Sequence, residues 1–226
     1  MIILVTGTHR GIGKAIAEKF LEASTDNIVY GIDIQNASII NDRYHHYQAD
    51  ISKRDQLPDF PFDFDIVINN AGKQNSEDDI GHNLYGSMFV TDKYALNNPN
   101  IKSVLFNASA SAHTGFEFAE YSASKAGLIG YMKHCAWRLA KRNATCNSIS
   151  CGGVITDLNN AVLDDPEVWD KIMDVTPLRK WASPYEIAQW VYFLTVINKS
   201  CSGQDILIDN GEKDLNCTFQ WPNFNY

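Results

Sequence analysis

IILVTGTHRGIG, residues 2–13, is the segment of this chain from which its architecture can be inferred. The apolar run at residues 2–5 predicts a short buried strand, and an amphipathic helical pattern begins at Lys14. Glycines in the intervening turn let the backbone approach a bound group closely, and the helix N-terminus offers unpaired N–H groups and partial positive charge. The segment therefore predicts a strand–turn–helix unit that binds the pyrophosphate of a dinucleotide. Its spacing is G-x-x-x-G-x-G, which departs from the G-x-G-x-x-G fingerprint.

The residues of this turn that we expect to contact the dinucleotide are Gly7, Thr8, Arg10, Gly11, Ile12 and Gly13. Asp33 ends the second predicted strand, 20 residues after Gly13. A carboxylate there accepts hydrogen bonds from the ribose hydroxyls and repels a 2′-phosphate, which favours NAD over NADP. Arg10 and His9 are nearby cations that soften this preference, so NADP stays possible. Asp50 and Ile51 follow the third predicted strand, where Asp50 either borders the adenine or caps a turn.

The rest of the chain continues the alternation of strands and helices. Apolar periodicity predicts strands at 2–5, 28–32, 44–50, 66–69, 103–107, 145–150 and 205–209, and helices at 14–23, 83–96, 121–142 and 186–196. Such an order implies parallel strands joined by right-handed crossovers, and hence an α/β fold with a doubly wound parallel sheet in three layers. We expect a single domain over residues 1–226. Two crossovers are short: 18 residues separate Asp50 from Asn69, and ten separate Gly72 from Asn83.

The composition excludes several classes of protein. The 226 residues are 45% hydrophobic and 20% charged, as in an ordinary globular domain. A net charge of −8 argues against nucleic-acid binding, and no apolar run is long enough for a membrane span or resembles a signal peptide. The five cysteines form no C-x-x-C pair, which predicts reduced thiols in the cytoplasm. The histidines show no metal-ligand spacing, so no metal site is expected.

Tyr121 and Lys125 lie four residues apart in a predicted helix, which places both side chains on one face. A nearby ammonium favours the phenolate, so we expect Lys125 to lower the pKa of Tyr121 from its ordinary value near 10. The phenol would then transfer protons at cellular pH. On its own the pair is more typical of a solvated helix face, and only the surrounding motifs favour the catalytic interpretation.

Together these motifs make the chain similar to the short-chain dehydrogenase/reductase family. The matching features follow the family's order from residue 2 to about 211: the glycine turn, Asp33, NNAG at 69–72, Asn83, Ser109, Tyr121-x-x-x-Lys125, GVIT at 153–156 and GQ…DNG at 203–211. The resemblance implies a Rossmann fold and an oxidoreductase that transfers a hydride between NAD(P) and a CH–OH group.

The resemblance also implies roles for the matching residues. Tyr121 would be the general acid/base, and Lys125 would hold the nicotinamide ribose and lower the pKa of Tyr121. Ser109 would hydrogen-bond the substrate oxygen, with Ser111 as its rival, and Asn83 would position a water that relays protons towards Lys125. The remaining cofactor contacts would be made by Asn70, Ala71 and Gly72 on the adenosine side and by Val154 and Thr156 near the nicotinamide.

Three functions agree with these observations. The first is an NAD-linked dehydrogenase or reductase of a small alcohol or ketone, and the second is an NADPH-dependent reductase of 3-oxoacyl thioesters on acyl carrier protein. The third is a catalytically silent dinucleotide-binding regulator. A substrate loop is expected at about 156–184, with His113, Phe116 and Phe118 opposite it. The acids in that loop make it a poor surface for an acidic carrier.

The assembly is expected to be a homodimer or homotetramer. Tyr131 and Trp137 belong to the apolar surface of the long helix, part of which would pair with a second copy. The tail at 212–226 ends in the aromatic segment 219–226, which we expect to pack at a subunit interface.

Overall fold

The computed structural model describes residues 1–215 and contains one seven-stranded sheet in which every strand pairs in parallel. The strands are β1 Ile2–Thr6, β2 Ile28–Asp33, β3 Tyr44–Gln48, β4 Ile66–Asn69, β5 Ser103–Asn107, β6 Thr145–Cys151 and β7 Asp205–Ile208. Their order across the sheet is β3-β2-β1-β4-β5-β6-β7. The chain therefore winds in one direction from β1 to β3 and in the other from β4 to β7. The switch lies between β1 and β4, where crevices form at the carboxyl ends of the strands.

Helices cover both faces of the sheet. They are α1 Gly11–Ala23, α2 Gly86–Tyr94, α3 Ser111–Thr114, α4 Ala119–Leu139, α5 Asn160–Leu163, α6 Pro166–Val175 and α7 Pro184–Tyr192. Successive side chains of a strand point to opposite faces. Accordingly Ile3 of β1 packs with α1 and α7, while Leu4 packs on the other face with α2 and α4. The predicted three-layer, doubly wound fold is confirmed.

The crossovers around β3 carry almost no helix. Residues 34–43 between β2 and β3 form none, and the connection from β3 to β4 has only the 3-10 turn Arg54–Gln56. Aromatic rings cover this part of the sheet instead. Tyr30 lies 4.9 Å from Phe62, and Phe60 lies 4.9 Å from Phe64, measured between ring centroids. The short crossover between Asp50 and Asn69 thus lacks a full helix, as its length indicates.

Several element boundaries differ from the predicted ones. The helix predicted at 83–96 begins earlier, as a π-helical turn at Ile80–Tyr85, and ends with α2 at Tyr94. The long helix α4 ends at Leu139 and continues as the 3-10 turn Ala140–Arg142. The expected packing of the aromatic tail concerns residues outside those described. Among the described helices, none has the length and apolar character that crossing a bilayer requires.

Candidate active site

The glycine turn between β1 and α1 closes so tightly that two of its glycines admit no side chain. A Cβ on Gly13 would lie 1.9 Å from the carbonyl oxygen of Gly7. Gly7 itself has φ +75° and would bring a Cβ within 2.8 Å of the Cα of Ala71. The helix α1 starts at Gly11, and the side chain of Arg10 at its N-cap makes no capping hydrogen bond. Since no capping side chain occupies the first N–H groups of α1, these groups can donate hydrogen bonds to the pyrophosphate of a dinucleotide.

Asn70 fastens the strand ends beneath this turn. Its Nδ2 donates to the carbonyl oxygen of Thr6 at 3.0 Å, and its Oδ1 accepts a hydrogen bond from Nδ2 of Asn107 at 2.9 Å. Thr6 Oγ1 in turn accepts from the backbone N–H of Asn70 at 3.0 Å. These bonds join the carboxyl ends of β1, β4 and β5, so the walls of the crevice are held at a fixed separation.

Two carboxylates lie on the side predicted for the adenosine. Asp33 accepts hydrogen bonds from the backbone N–H groups of His9 and Gln35, each at 2.9 Å, which fixes its carboxylate at the edge of the glycine turn. Asp50 accepts from the Ser52 hydroxyl at 2.7 Å and from the Ser52 N–H at 2.9 Å. Partial burial opposes ionisation of Asp50, but the bonds from Ser52 outweigh it and hold its pKa below the ordinary range. Asp50 therefore forms the turn and borders the cleft at once.

One cleft of about 1240 Å³ runs from this side to the Tyr121 side and exceeds the usual volume of a small-ligand pocket. It brings together sixteen of the residues predicted from the sequence, namely Gly7, Arg10, Gly11, Ile12, Gly13, Asp33, Asp50, Ile51, Asn70, Ala71, Gly72, Ser109, Tyr121, Lys125, Val154 and Thr156. Thr8 is not among them because its side chain is buried and its hydroxyl lies 2.7 Å from that of Tyr44.

Lys125 is buried directly behind Tyr121. Its Nζ lies 5.7 Å from the centroid of the Tyr121 ring and donates to the carbonyl oxygen of Asn107 at 2.8 Å. Burial lowers the pKa of Lys125 to about 8, although Cys151 and Asp79 partly oppose this fall. The predicted pairing on one helix face is therefore present.

The pKa of Tyr121 moves in the direction opposite to the prediction. Burial raises it to about 12, the Ser109 hydroxyl offsets part of the rise, and the charges of Glu117, Cys151 and Asp79 add to it. The expectation that Lys125 makes Tyr121 more acidic is wrong for this structure because the loss of solvation dominates. A phenol with this pKa is protonated at neutral pH and is suited to donate a proton.

Asn83 lies in the π-helical turn before α2, and its side chain does not reach the cleft. Its Nδ2 donates to the carbonyl oxygen of Lys73 at 2.9 Å and to Ser124 Oγ at 3.0 Å, while its Oδ1 accepts from the Lys73 N–H at 2.7 Å. A Cβ on Gly72 would lie 2.9 Å from this Oδ1 and 3.3 Å from Nζ of Lys125. Asn83 therefore holds the loop that passes in front of Lys125.

Sequence reasoning missed three residues of the site, Asn107, Cys151 and Glu117, and named Ser111 only as the rival of Ser109. Asn107 ends β5 beside Asn70 and receives the hydrogen bond of Lys125, and the buried Cys151 ends β6 in the same cleft. Both are signalled by their positions at the carboxyl ends of central strands. Ser111 and Glu117 also border the cleft, and the Ser111 hydroxyl donates to Oε2 of Glu117 at 2.7 Å. No sequence signal marks that contact, since it depends on the path of the loop.

The remaining predictions for the pocket are met in part. Phe116 and Phe118 border the cleft, but His113 turns away from it and lies 2.8 Å from the Asp205 carboxylate. From the predicted substrate loop, Leu158, Val162 and Ile172 face the cleft. Within residues 1–215, no group of three or more His, Cys, Asp or Glu side chains is arranged to hold a metal ion.

Comparison with known proteins places the sequence and the fold of this chain among oxidoreductases. Residues 7–213 match the family model described as enoyl-(acyl carrier protein) reductase. The 3-oxoacyl-[acyl-carrier-protein] reductase of Aquifex aeolicus is 28% identical over 93% of this chain and 96% of its own length. The solved structure of 4-hydroxyisoleucine dehydrogenase with NADH is 28% identical, with a TM-score of 0.80 over 94% of this chain and 98% of that one. The aldohexose dehydrogenase of Thermoplasma acidophilum, 23% identical, has the same fold with a TM-score of 0.83 over 98% and 97%.

Proposed function

The chain belongs to the short-chain dehydrogenase/reductase family of NAD(P)-dependent oxidoreductases, and we propose that it interconverts a small neutral alcohol and the corresponding ketone with NAD. One observation carries the proposal. The Tyr121 phenol, the Ser109 hydroxyl and the buried Lys125 ammonium meet in a single cleft that also contains the glycine turn. A hydride donor or acceptor is thereby brought to the substrate carbon, and a proton-transfer group is brought to the oxygen bonded to that carbon.

In the direction of reduction, the Tyr121 phenol and the Ser109 hydroxyl both donate hydrogen bonds to the carbonyl oxygen. Charge develops on that oxygen in the transition state, and fixed donors in a buried site stabilise it. Tyr121 then gives its proton to the oxygen, and the Lys125 ammonium, held by Asn107 at 2.8 Å, stabilises the phenolate that remains. The nicotinamide supplies the hydride when bound. Oxidation follows the same steps in reverse.

The proposed cofactor contacts are those predicted from the sequence except Thr8, whose side chain is buried outside the cleft, and Asp33 is the residue that selects NAD. The Asp33 carboxylate is fixed by the His9 and Gln35 N–H groups, so it meets the ribose hydroxyls without rearrangement. A 2′-phosphate in the same place would face this negative charge. Fluorescence titration should therefore give a lower Kd for NADH than for NADPH, and a preference for NADPH would reverse the assignment.

The acids around the cleft favour a neutral substrate. Glu117 and Glu212 both border it, and burial together with the charges of Asp209 and Glu117 raises the pKa of Glu212. A substrate carboxylate or phosphate would be repelled there. A 3-oxoacyl thioester is the second candidate, because the Aquifex aeolicus relative reduces that class and the matched family model carries an acyl-carrier-protein description.

The experiment is a panel of carbonyl compounds assayed with NADH and with NADPH, following loss of the reduced cofactor's absorbance. The panel contains a cyclic ketone, an aldose, a 7-oxosteroid and acetoacetyl-coenzyme A. We expect reduction of a neutral ketone with NADH. Preferential reduction of acetoacetyl-coenzyme A with NADPH would establish the second candidate, and no turnover with any compound would favour the silent regulator.

We also propose that residues 1–226 act as one domain with a substrate loop at about 156–184, and that the chain works as a homodimer or homotetramer in the cytoplasm. Trp137 on α4 is 72% exposed, which is unusual for an indole on a surface with no partner. The cysteines at 135, 146, 151 and 201 are free thiols, as in a reducing compartment. Light scattering on the purified chain should give two or four times the mass of 25.4 kDa, and a monomer would refute the assembly.

A further inference from the structure

We propose that the indole N–H of Trp181 binds a second oxygen of the substrate, and that the substrate is a polyhydroxylated, sugar-like alcohol or ketone. Trp181 lies between α6 and α7 and borders the cleft. The inference rests on the proposed function and narrows it, because it adds a contact away from the carbon that exchanges the hydride.

The indole nitrogen of Trp181 is a buried donor that lacks an acceptor. The residue is 8% exposed, and its Nε1 meets no hydrogen-bond partner within residues 1–215. A buried tryptophan N–H usually has a partner, because otherwise it gives up its bond to water without replacement. Asn69 and Asn210 also carry an unpaired buried side-chain atom in this range, but neither borders the cleft. The donor of Trp181 is therefore the one placed to meet a substrate.

Gly153 brings the nitrogen-bearing edge of the indole to the wall of the cleft. A Cβ on Gly153 would lie 2.1 Å from Nε1 and 2.0 Å from Cε2 of Trp181, so a side chain at this position would displace the ring. Gly153 borders the cleft as Trp181 does. The N–H edge therefore lies against backbone that itself forms the surface of the cleft.

The surrounding backbone fixes the indole in this position. The N–H of Ala182 donates to the carbonyl oxygen of Gly153 at 3.2 Å, and the N–H of Ile155 donates to the carbonyl oxygen of Ala182 at 2.9 Å. The ring of Trp169 packs edge-on against that of Trp181, with 5.3 Å between their centroids. A donor held in this way needs little further ordering when a substrate binds, which favours affinity.

Two carboxylates border the same cleft. The Ser111 hydroxyl donates to Oε2 of Glu117 at 2.7 Å, so Oε1 can accept from a substrate. Glu212 follows β7, in a turn that reaches the glycine pair: a Cβ on Gly152 would lie 2.7 Å from Cβ of Asp209. Burial, followed by the charges of Asp209 and Glu117, raises the pKa of Glu212, so these acids face a common space.

A donor and two acceptors in one cleft suit the hydroxyl group. A hydroxyl can accept from the N–H of Trp181 and donate to a carboxylate, whereas a thioester or a simple ketone can only accept. Lys213 also borders the cleft, but it is paired with Asp214. Phe116 and Leu158 supply exposed apolar surface for the C–H groups of a ring. The lining therefore favours a neutral substrate with several hydroxyls over an acyl chain.

The first test compares cyclohexanone with 2-, 3- and 4-hydroxycyclohexanone, each reduced with NADH. These ketones differ by one hydroxyl, and the three positions vary its distance from the reacting carbonyl. We expect kcat/KM for at least one hydroxyketone to exceed that for cyclohexanone about tenfold, because that hydroxyl pairs the buried donor. Equal values for all four ketones, or turnover of acetoacetyl-coenzyme A alone, would overturn the inference.

Trp181→Phe removes the N–H and keeps an aromatic ring. It should lower kcat/KM about tenfold for the preferred hydroxyketone and less than about threefold for cyclohexanone. Damage to the fold would lower both values together, so the ratio isolates the hydrogen bond. Glu212→Gln should reduce the same ratio, since it weakens the acceptor. Trp190→Phe, on α7 and outside the cleft, is the matched control and should leave the ratio unchanged. A preference that persists in Trp181→Phe would overturn the assignment.

A second readout does not depend on turnover. Nitrogen-15 correlation spectra resolve the indole N–H groups, and the peak missing from Trp181→Phe identifies that of Trp181. In the presence of NADH, a cyclohexanediol cannot react. The diol that corresponds to the preferred hydroxyketone should shift this peak downfield, and cyclohexanol should not. An unmoved peak at saturating diol would overturn the inference and leave the proposed function intact. The proposed function fails separately, if no carbonyl compound is reduced at all.

Discussion

Replacing Lys125 with methionine should stabilise the fold while impairing the reaction. The ammonium is fully buried, and burial lowers its pKa from an ordinary 10.5 to about 8. Because a tenfold change in proton affinity corresponds to about 1.4 kcal/mol, this fall corresponds to about 3 kcal/mol of lost stability when the group is charged. Methionine has nearly the same length and carries no charge, so it removes that penalty.

One hydrogen bond is lost in exchange. Nζ donates to the carbonyl oxygen of Asn107 at 2.8 Å, and leaving that oxygen without a donor costs about 1 kcal/mol. At pH 7 the net effect should therefore be an increase of about 2 kcal/mol in the free energy of unfolding. Stability and activity oppose each other here, as they often do where a buried charge serves catalysis.

The shifted pKa of Lys125 determines how the stability difference between the wild type and Lys125→Met changes with pH. The pKa of Lys125 is lower in the folded chain than in the unfolded one, so below pH 8 both states hold the proton and the folded state bears the full penalty. Between about pH 8 and 10.5 the folded state loses the proton first. The wild type should therefore gain stability relative to Lys125→Met across this window.

Urea unfolding of both proteins at pH 7 and pH 10 measures the two quantities, since the midpoint and slope give the free energy of unfolding. Lys133→Met replaces an exposed lysine on the same helix and should change stability by less than about 0.5 kcal/mol at either pH. Two results would each refute the reasoning: a Lys125→Met protein that is less stable than the wild type at pH 7, or a stability advantage of Lys125→Met that does not narrow between pH 7 and pH 10.

Two further predictions concern the cofactor side. Gly13→Ala places a Cβ 1.9 Å from the Gly7 carbonyl oxygen, so isothermal titration should show NADH binding weakened by more than about tenfold. The control is Gly130→Ala, because no atom lies within 4 Å of the added Cβ. This control should stabilise α4 by up to about 1 kcal/mol and leave NADH binding unchanged. Equal affinities in both variants would contradict the proposed role of the turn. Asp33→Asn removes the charge on the ribose side and should weaken NADH binding about tenfold while narrowing the preference over NADPH, because a hydrogen bond to a charged group contributes about 1.5–3 kcal/mol. An unchanged ratio of the two affinities would show that Asp33 does not select the cofactor.

The fold was predictable from the sequence because the central strands of the sheet are buried on both faces. Such strands appear in the sequence as short runs of apolar residues. Every residue of Ile66–Asn69 is buried, and so is every residue of Ser103–Asn107. The edge strand Tyr44–Gln48 is mostly exposed, and its predicted end at residue 50 was accordingly too late. The aromatic packing that replaces a helix near β3 depends on contacts between distant segments, which periodicity does not reveal.

The sequence predicted most of the residues that meet in the candidate site, but it did not predict the direction in which burial shifts the pKa of Tyr121. A spacing of four residues correctly brings Lys125 to the ring of Tyr121, but it carries no information about how deeply the pair is buried. Burial is the largest cause of the direction in which both pKa values move. Asn83 illustrates the same limit, because its partners Lys73 and Ser124 come from other parts of the chain.

The central claim, that Tyr121 transfers the proton in a hydride-transfer reaction, is tested most directly by Tyr121→Phe. The measurement is a pair of values for this variant and the wild type: the rate of NADH oxidation with the best carbonyl of the panel, and the Kd for NADH. We predict that kcat falls at least about 10²-fold, as expected for loss of a general acid, while the Kd for NADH changes less than about threefold, under about 1 kcal/mol. Retention of wild-type turnover by Tyr121→Phe would contradict the mechanism.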